Sequence, residues 1–251
     1  MTLKLVANWK LNGSKFLNDE WLKAFNEHYQ GSKTSHIGIA PPSIFLNDLI
    51  RHPENQAIAI GSQNIDCFIS GARSGEISST MVQDSGGIFA IVGHSERRIL
   101  FNETNVEIAK KLDLASESLL IPVLCVGESE ADKQQDKTRN ILEEQIIHAL
   151  TNTTKLKSLI IAYEPVWAIG TGKTPEPKEI NSIHEMIKDI VQSLFSELEL
   201  NAVLYGGSVN IGNAAAIFEE KEIDGALVGG ASLNGRDFAN LANTLNDIKG
   251  L

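Results

Sequence analysis

Cysteine, positive charge and long apolar runs are all scarce in this sequence of 251 residues. Its two cysteines, Cys67 and Cys125, lie far apart without the spacing of a metal site, which indicates free thiols in a reducing compartment. A net charge of −10 argues against a nucleic acid held on a basic surface, although backbone amides and one lysine can still bind an anionic substrate. The best apolar run, 119–126, is too short to cross a membrane, and Met1 begins a strand pattern rather than a signal peptide. We therefore expect a cytosolic protein.

Eight short apolar runs, rich in β-branched residues, recur along the chain between polar stretches with helical periodicity. The runs are almost continuously apolar, as parallel strands buried on both faces are. They cover residues 3–7, 37–40, 57–61, 88–92, 121–126, 159–163, 202–205 and 225–228. Two of the stretches between them, 134–150 and 177–198, place apolar residues on one helical stripe, which in the second includes Ile180, Ile187 and Leu194.

This alternation predicts the fold. Eight strand–helix units within about 250 residues predict an α/β protein of the (β/α)8 barrel type. A doubly wound open sheet is the rival, but residues 8–13 after the first strand lack the G-x-G-x-x-G dinucleotide fingerprint. No linker or low-complexity tract divides the chain, so we expect one catalytic domain over residues 1–251.

Polar side chains and glycines follow the predicted strands, at the end where barrel enzymes place their active sites. They are Asn8, Lys10, Gln63, Asn64, His94, Ser95, Glu96, Glu164, Gly206, Gly207, Ser208, Gly229, Gly230 and Ser232. Each alone has an ordinary explanation: Lys10 can be ion-paired, His94 can cap a helix, and Glu164 can belong to a turn before a proline. Placed together on one face, they indicate a catalytic site.

The set suits the removal of a proton next to a carbonyl group. Glu164 can act as the base if apolar surroundings raise its basicity. The enediolate that forms needs hydrogen-bond donors, for which Asn8, Lys10 and His94 are suitable. His94 begins a predicted helix, whose N-terminus favours a neutral ring. Glycine amides after the seventh and eighth strands, with the amide of Gly170, suit a phosphate group.

The segment after the candidate base combines a stiff Pro-Val-Trp sequence at 165–167 with the glycine-bearing stretch 169–174, which predicts a loop that moves as a unit. Its end, Gly172-Lys173-Thr174, is similar to the end of a nucleotide-binding P-loop. Because residue 167 is Trp where that motif requires Gly, we do not assign nucleotide binding to it.

Six segments of the chain closely resemble the triosephosphate isomerase family. They are residues 8–13, 92–98, 125–128, 162–174, 205–208 and 227–233, and the resemblance extends over essentially the whole sequence. It implies interconversion of D-glyceraldehyde 3-phosphate and dihydroxyacetone phosphate in glycolysis and gluconeogenesis, through an enediolate and without a cofactor or metal. A glutamate base paired with a neutral histidine is a known property of this family and not a deduction from these residues.

The resemblance also implies a role for each matching residue. Glu164 moves the proton between two carbons, His94 serves the oxygens, and Asn8 and Lys10 contact the substrate oxygens. The implied phosphate-binding residues are Gly170, Ser208, Gly229 and Gly230. The implied lid and its supporting residues are Pro165, Val166, Trp167, Ile169, Lys173, Thr174, Glu96, Tyr205 and Leu227. Closure of the lid would exclude water, and Ile169 and Leu227 would then press on Glu164 and raise its basicity.

The family resemblance further implies a homodimer in which loop three, residues 71–76, packs beside the partner subunit's Lys10. Here the loop has Arg73 where the family usually has an aromatic residue, and Ser74 where Thr is usual, which predicts a weaker dimer. Pro175 stands at the hinge of the lid where Ala is usual. Because proline fixes φ, we expect altered lid kinetics.

Two other functions stay open at this stage. A different barrel enzyme, an aldolase, would use Lys10 as a Schiff-base nucleophile, which needs a neutral amine and room for a carbinolamine. A scaffold protein would keep the fold without turnover, and replacement of Glu164 or His94 would favour it. Both residues are present, which disfavours the scaffold.

Overall fold

The computed structural model describes residues 2–55, 57–169 and 173–251. Eight parallel strands form a closed barrel in the order of the sequence, and the first strand pairs with the eighth to close it. They are β1 (Leu5–Asn8), β2 (Ile37–Ala40), β3 (Ala59–Ser62), β4 (Phe89–Val92), β5 (Ile121–Val126), β6 (Ser158–Tyr163), β7 (Glu199–Tyr205) and β8 (Gly225–Val228). The predicted barrel is confirmed, and each predicted run overlaps one strand.

Helices follow the strands and cover the outside of the barrel. Those within the described ranges are α1 (Lys15–His28), α2 (Leu46–Ile50), α3 (Ser79–Asp84), α4 (Ser95–Leu100), α5 (Asn105–Glu117), α6 (Glu130–Gln134), α7 (Thr138–Leu150), α8 (Pro177–Leu194), α9 (Ala214–Phe218) and α10 (Gly235–Lys249). Short 3₁₀ turns cover Ser43–Phe45, Val166–Ala168 and Gly230–Leu233.

Two helix predictions need correction. The helix expected over 134–150 begins only at Thr138, because Asp136 between α6 and α7 adopts a left-handed φ of 53°. The helix expected over 177–198 begins at Pro177, where a missing N–H costs no hydrogen bond. It ends at Leu194, because Phe195 leaves the helical conformation with φ −136° and ψ 51°. Leu194 is therefore 51% exposed and not part of the buried stripe.

Apolar side chains form one core inside the barrel and a second between the strands and the helices. Phe89 fills the interior core near the amino ends of the strands. It can do so because Gly38 and Gly61 have no side chain: a Cβ at Gly61 would lie 2.5 Å from the Phe89 ring. This close packing fixes the strands whose carboxyl ends carry the candidate site.

Within the described ranges, no helix is long and apolar enough to cross a membrane. The same part of the chain contains no group of three or more His, Cys, Asp or Glu side chains placed to hold a metal ion. Cys67 and Cys125 are both free thiols, as the sequence predicted.

Candidate active site

A cavity of about 340 Å³ lies at the carboxyl ends of the strands. The residues that line it include Asn8, Lys10, His94, Glu164, Ile169, Gly206, Gly207, Ser208, Leu227, Gly229 and Gly230. A groove of about 490 Å³ adjoins it and shares Asn8, Lys10 and His94. The structure therefore brings together residues that are separated by as many as 222 positions in the sequence, from Asn8 to Gly230.

Lys10 is held in an unusual backbone conformation by its neighbours. Its φ is 50°, in the left-handed region that residues with a side chain seldom adopt. The Gln63 amide donates to the Lys10 carbonyl at 2.9 Å, and the Lys10 N–H donates to Asn8 Oδ1 at 3.1 Å. The Lys10 ammonium donates to Glu96 Oε1 at 2.7 Å. Its Cε passes 3.5 Å from where a Cβ on Gly229 would lie, so the cation reaches toward the predicted phosphate turn.

His94 and Glu164 face each other in the buried part of the cavity, with side chains only 7% and 2% exposed. His94 Nε2 lies 3.0 Å from Glu164 Oε1, and the Ser95 N–H donates to Glu164 Oε2 at 2.9 Å. His94 is also the N-cap of α4, where its Nδ1 accepts the Glu96 N–H at 3.2 Å. Because Nδ1 is an acceptor, the ring proton lies on Nε2 and points at Glu164.

This contact moves two pKa values in directions that the sequence did not predict. Burial alone would raise the pKa of Glu164, but His94 and the Ser95 N–H hold it below its ordinary value. Burial lowers the pKa of His94, but the Glu164 carboxylate outweighs burial and raises it above its ordinary value. The expectation of a more basic Glu164 concerned the closed lid and stays a prediction, because in the observed arrangement His94 stabilises the charged form of Glu164. If Glu164 moved away from His94, neither group would shift the pKa of the other.

The start of the predicted lid is fastened to Glu128, which follows β5. The Trp167 indole N–H donates to Glu128 Oε1 at 2.8 Å, and the Tyr163 hydroxyl donates to the same oxygen at 3.1 Å. The Val166 N–H donates to the Glu128 carbonyl at 3.1 Å. Glu128 is 1% exposed, and burial raises the pKa of its carboxyl group. Two residues near the candidate base, Tyr163 and Trp167, thus depend on one buried carboxylate, and Val166 depends on the main chain of the same residue.

The rest of the predicted lid contacts other loops through side chains. The Ser208 hydroxyl donates to the Ala168 carbonyl at 2.8 Å, and the Thr174 hydroxyl lies 3.5 Å from the Ser208 carbonyl. Lys173 Nζ lies 3.1 Å from Glu130 Oε1 on α6, and both side chains are more than half exposed. Ser208 therefore connects the predicted phosphate site with both ends of this segment.

The predicted phosphate-binding turn follows β8. The Ser232 N–H and hydroxyl both donate to the Gly229 carbonyl, at 2.8 Å and 2.7 Å, which folds the chain into a tight turn. Beside Gly230 there is open space where a Cβ would be. Gly170, which was expected to add another amide, lies outside the described residues.

Two residues at the end of β7 lie close to the candidate base or to the proposed lid, and one of them, Gly206, lines the cavity. Gly206 leaves room for the candidate base, since a Cβ there would lie 2.7 Å from Glu164 Cγ. The Tyr205 hydroxyl is buried and has no hydrogen-bond partner in the described part of the chain. Burial raises the pKa of Tyr205, so the hydroxyl keeps its proton and can still donate a hydrogen bond.

Sequence reasoning gave no role to Arg98, which supports the His94 turn. Its guanidinium donates to the Gly93 carbonyl at 2.8 Å, to Asn105 Oδ1 at 2.7 Å and to the Cys125 carbonyl at 3.1 Å. These contacts tie the turn before His94 to β5. Because they join residues up to 27 positions apart, a pattern in the sequence could not show them.

Comparison with known proteins decides the family. Residues 3–245 match the family described as triosephosphate isomerase. The chain belongs to the triosephosphate isomerase family. It is 41% identical to the triosephosphate isomerase of Klebsiella pneumoniae over 238 residues, which is 94% of this chain and 93% of the relative. It is 40% identical, with the same coverage, to the triosephosphate isomerases of Escherichia coli (strain K12 / DH10B) and Shigella boydii serotype 18.

As a triosephosphate isomerase, the chain interconverts D-glyceraldehyde 3-phosphate and dihydroxyacetone phosphate in glycolysis and gluconeogenesis. The scaffold and aldolase alternatives are therefore set aside. The ion pair between Lys10 and Glu96 agrees with this choice, because a Schiff-base aldolase needs a neutral amine.

Proposed function

We propose that Glu164 is the base of this isomerisation and acts with His94, Lys10 and Asn8 in the 340 Å³ cavity. The observation that carries the proposal is the 3.0 Å contact between Glu164 and His94, both buried in a cavity with one ammonium group. A base, a neutral donor and a cation are the groups that proton transfer next to a carbonyl requires. The glycolytic reaction also supports a cytosolic location.

The proposed reaction starts when Glu164 leaves the Ser95 N–H and takes a proton from the carbon next to the substrate carbonyl. The electron pair of that C–H bond forms a C=C bond, and the carbonyl oxygen becomes an oxyanion. The Lys10 ammonium and the His94 Nε2–H stabilise the oxyanion, and Asn8 contacts the neighbouring oxygen. His94 then moves a proton between the two oxygens, and Glu164 returns its proton to the other carbon, which restores the enzyme.

The same movement makes Glu164 a stronger base. In the observed arrangement, His94 and the Ser95 N–H favour the carboxylate and lower the pKa of Glu164. When Glu164 turns to the substrate it loses both contacts but stays buried, and burial raises the pKa. Ile169 and Leu227 line the cavity and supply the apolar surroundings that the family resemblance implies.

We propose that the substrate phosphate binds at the Ser208 and Gly229–Gly230 backbone, with Gly170 as a further donor. The close approach of Lys10 to Gly229 supports this end of the cavity, because a cation there favours a dianionic group. Glu96 supports the site by pairing with Lys10 and by donating its N–H to His94. The substrate carbons then lie between the phosphate and Glu164.

The segment that follows Glu164 is proposed as the lid, with Pro165, Val166, Trp167, Ile169, Lys173 and Thr174 as its members. Closure would exclude water from an enediolate that otherwise loses its phosphate. The Tyr205 hydroxyl, which has no hydrogen-bond partner within the described residues, and the Ser208 hydroxyl are the groups proposed to contact the closed lid.

Replacement of the base tests the proposal most simply. Glu164→Gln keeps the shape of the side chain but cannot accept the carbon-bound proton, so kcat should fall by at least ~10³. Binding of inorganic phosphate should survive. The matched control is Glu197→Gln, an exposed position far from the cavity in sequence, which should keep normal turnover. Near-native turnover of Glu164→Gln, measured by a coupled dehydrogenase assay, would assign the base to another residue.

We also propose that the chain forms a homodimer through loop three around Ser74. Leu11, Leu100 and Phe101 are 96%, 68% and 64% exposed along the 490 Å³ groove beside Lys10, which is the kind of apolar surface that a partner covers. Loop three of a second copy is the proposed occupant.

Arg73 should weaken this dimer. Its Nε donates to Asp66 Oδ2 at 2.7 Å and its guanidinium lies over the Phe68 ring, so part of the charge is already paired with residues that precede loop three. An aromatic residue at this position would add buried apolar area that Arg73 does not. We expect dissociation at higher protein concentration than in relatives that carry the aromatic residue and Thr. Analytical ultracentrifugation that finds a tight dimer at nanomolar concentration would contradict this expectation.

A further inference from the structure

Lys133 contacts both flanks of the proposed lid. It lies near the end of α6, and its Nζ is 3.6 Å from the centroid of the Trp167 ring. The same Nζ lies 2.7 Å from Glu179 Oε1. Trp167 follows the base by three residues, whereas Glu179 belongs to the first turn of α8, beyond the end of the lid. One ammonium group therefore joins the start of the lid to the helix that follows it.

Two groups of opposite charge contact the Trp167 side chain. Each lies at a part of the indole whose partial charge attracts it. The Glu128 carboxylate accepts the indole N–H at the ring edge, which is positive. The Lys133 ammonium lies over the ring face, which is negative. The two contacts restrict both the position and the tilt of the ring.

The exposure of the Lys133 and Glu179 side chains indicates that the ion pair restrains the lid less than the contact between Lys133 and Trp167 does. The Lys133 and Glu179 side chains are 33% and 42% exposed, and an ion pair at that exposure contributes little by itself. The contact between Lys133 and the Trp167 ring also restrains the indole. Water replaces this contact less easily than it replaces the ion pair between Lys133 and Glu179. Because a single ammonium makes both contacts, a change at Lys133 removes both together.

We propose that Lys133 is a positioning residue for the isomerisation. By holding Trp167, it stabilises the lid arrangement in which Glu164 is turned to Ser95 and away from the substrate. It thereby sets how readily the lid leaves that arrangement when a phosphorylated ligand binds. The inference rests on the proposed function of residues 165–174 as a lid.

The test uses Lys133→Met, which keeps most of the aliphatic stem and removes the charge. Loss of a cation–π contact should shift the lid equilibrium about two- to fivefold away from the observed arrangement. The probe is 2-phosphoglycolate, whose carboxylate copies the planar, negative enediolate. We expect calorimetry to show a dissociation constant that is lower by that factor in Lys133→Met. Lys133→Arg keeps a cation over the ring and should restore the wild-type value.

Two controls separate positioning from a general structural effect. Lys137→Met removes an exposed lysine just beyond α6 whose charge favours the Asp132 carboxylate, and it should bind the probe as the wild type does. Glu179→Gln removes the ion pair but leaves the ring contact, so its effect should be smaller than that of Lys133→Met.

A spectroscopic signature completes the test. With 5-fluorotryptophan, the chain gives three ¹⁹F resonances, from Trp9, Trp21 and Trp167, and a Trp167→Phe variant assigns the third. Lys133→Met should move the Trp167 resonance and leave the resonances of the two core tryptophans in place. A merely structural change would move all three.

The outcomes distinguish this inference from the proposed site. If the wild type fails to bind 2-phosphoglycolate, the proposed site is wrong. If the wild type binds it and Lys133→Met has the dissociation constant and the Trp167 resonance of Lys137→Met, the role of Lys133 is wrong. Weaker binding by Lys133→Met would also overturn it, because the loss of a contact in the unclosed arrangement cannot favour that arrangement.

Discussion

The two sides of the active-site cavity are held in place by different kinds of contact. On one side, the left-handed backbone of Lys10 and the helix cap at His94 are fixed by hydrogen bonds to main-chain groups. On the other side, the segment after Glu164 is held mainly through side chains, with Trp167 on Glu128 as the strongest example. The Lys10 and His94 side is therefore part of the barrel framework. The segment after Glu164 packs against that framework.

This difference separates two tasks. Donors that stabilise a developing charge work best when they do not reorganise during the reaction, which suits the Lys10 and His94 side. A lid must exchange its contacts in each turnover, so contacts made by a few side chains, such as those of Trp167, suit it better. Changes on the first side should therefore damage the chemistry, and changes on the second should adjust equilibria.

Lys10→Met should give the largest effect. It removes the cation near both the predicted oxyanion and the Gly229 turn, so KM should rise and kcat should fall, together by about 10²- to 10³-fold in kcat/KM. Steady-state kinetics measure both constants. Lys15→Met serves as the control, because its side chain is 81% exposed and lies at the start of α1. Unchanged KM and kcat would remove Lys10 from the site.

Glu128→Gln should give a smaller effect of a different kind. The amide oxygen can still accept from Trp167 and Tyr163, but a neutral acceptor is weaker than a carboxylate, so the lid equilibrium should shift by only about fivefold. We expect tighter binding of 2-phosphoglycolate by calorimetry, with Glu130→Gln as the exposed control. A loss of activity as large as that of Lys10→Met would instead place Glu128 in the fixed machinery.

The smallest effect should appear in the pH dependence of stability. Burial raises the pKa of Glu128 in the folded chain above its unfolded value, so the folded state binds more protons just above the ordinary glutamate range. The contribution of Glu128 to the free energy of unfolding therefore falls as pH rises through that interval. Glu128→Gln does not titrate there, so its free energy of unfolding should not fall for this reason. In urea unfolding, the free energy of unfolding of Glu128→Gln relative to that of the wild type should rise between pH 4 and pH 7. The opposite trend would mean that Glu128 is stabilised as an anion.

The sequence predicted the barrel well because its signals are local. Continuous apolar runs mark strands buried on both faces, and the glycine and polar residues after them mark the catalytic end. The helix start at His94 was predicted for the same reason. Leu194 was misplaced because nothing in the apolar periodicity shows that Phe195 turns out of the helix.

The electrostatics of the site could not be predicted from the sequence. The pKa values of Glu164 and His94 depend on a contact between residues 70 positions apart, which exists only in the folded barrel. The contacts of Lys133 with Trp167 and Glu179 are likewise long-range, and a lysine on a short polar helix gives no sign of them. Local chemistry identified the participants, but their mutual distances determine what they do.

Isomerisation in deuterium oxide tests the central claim, that Glu164 moves a carbon-bound proton, most directly. The product formed from D-glyceraldehyde 3-phosphate is analysed by NMR for deuterium at the carbon that receives the proton. A carboxylate that exchanges its proton with solvent during the enediolate stage should give partly deuterated product, and Glu164→Gln should form almost none. Product that carries no deuterium at any conversion would contradict the account, because it would indicate direct hydride transfer between the carbons.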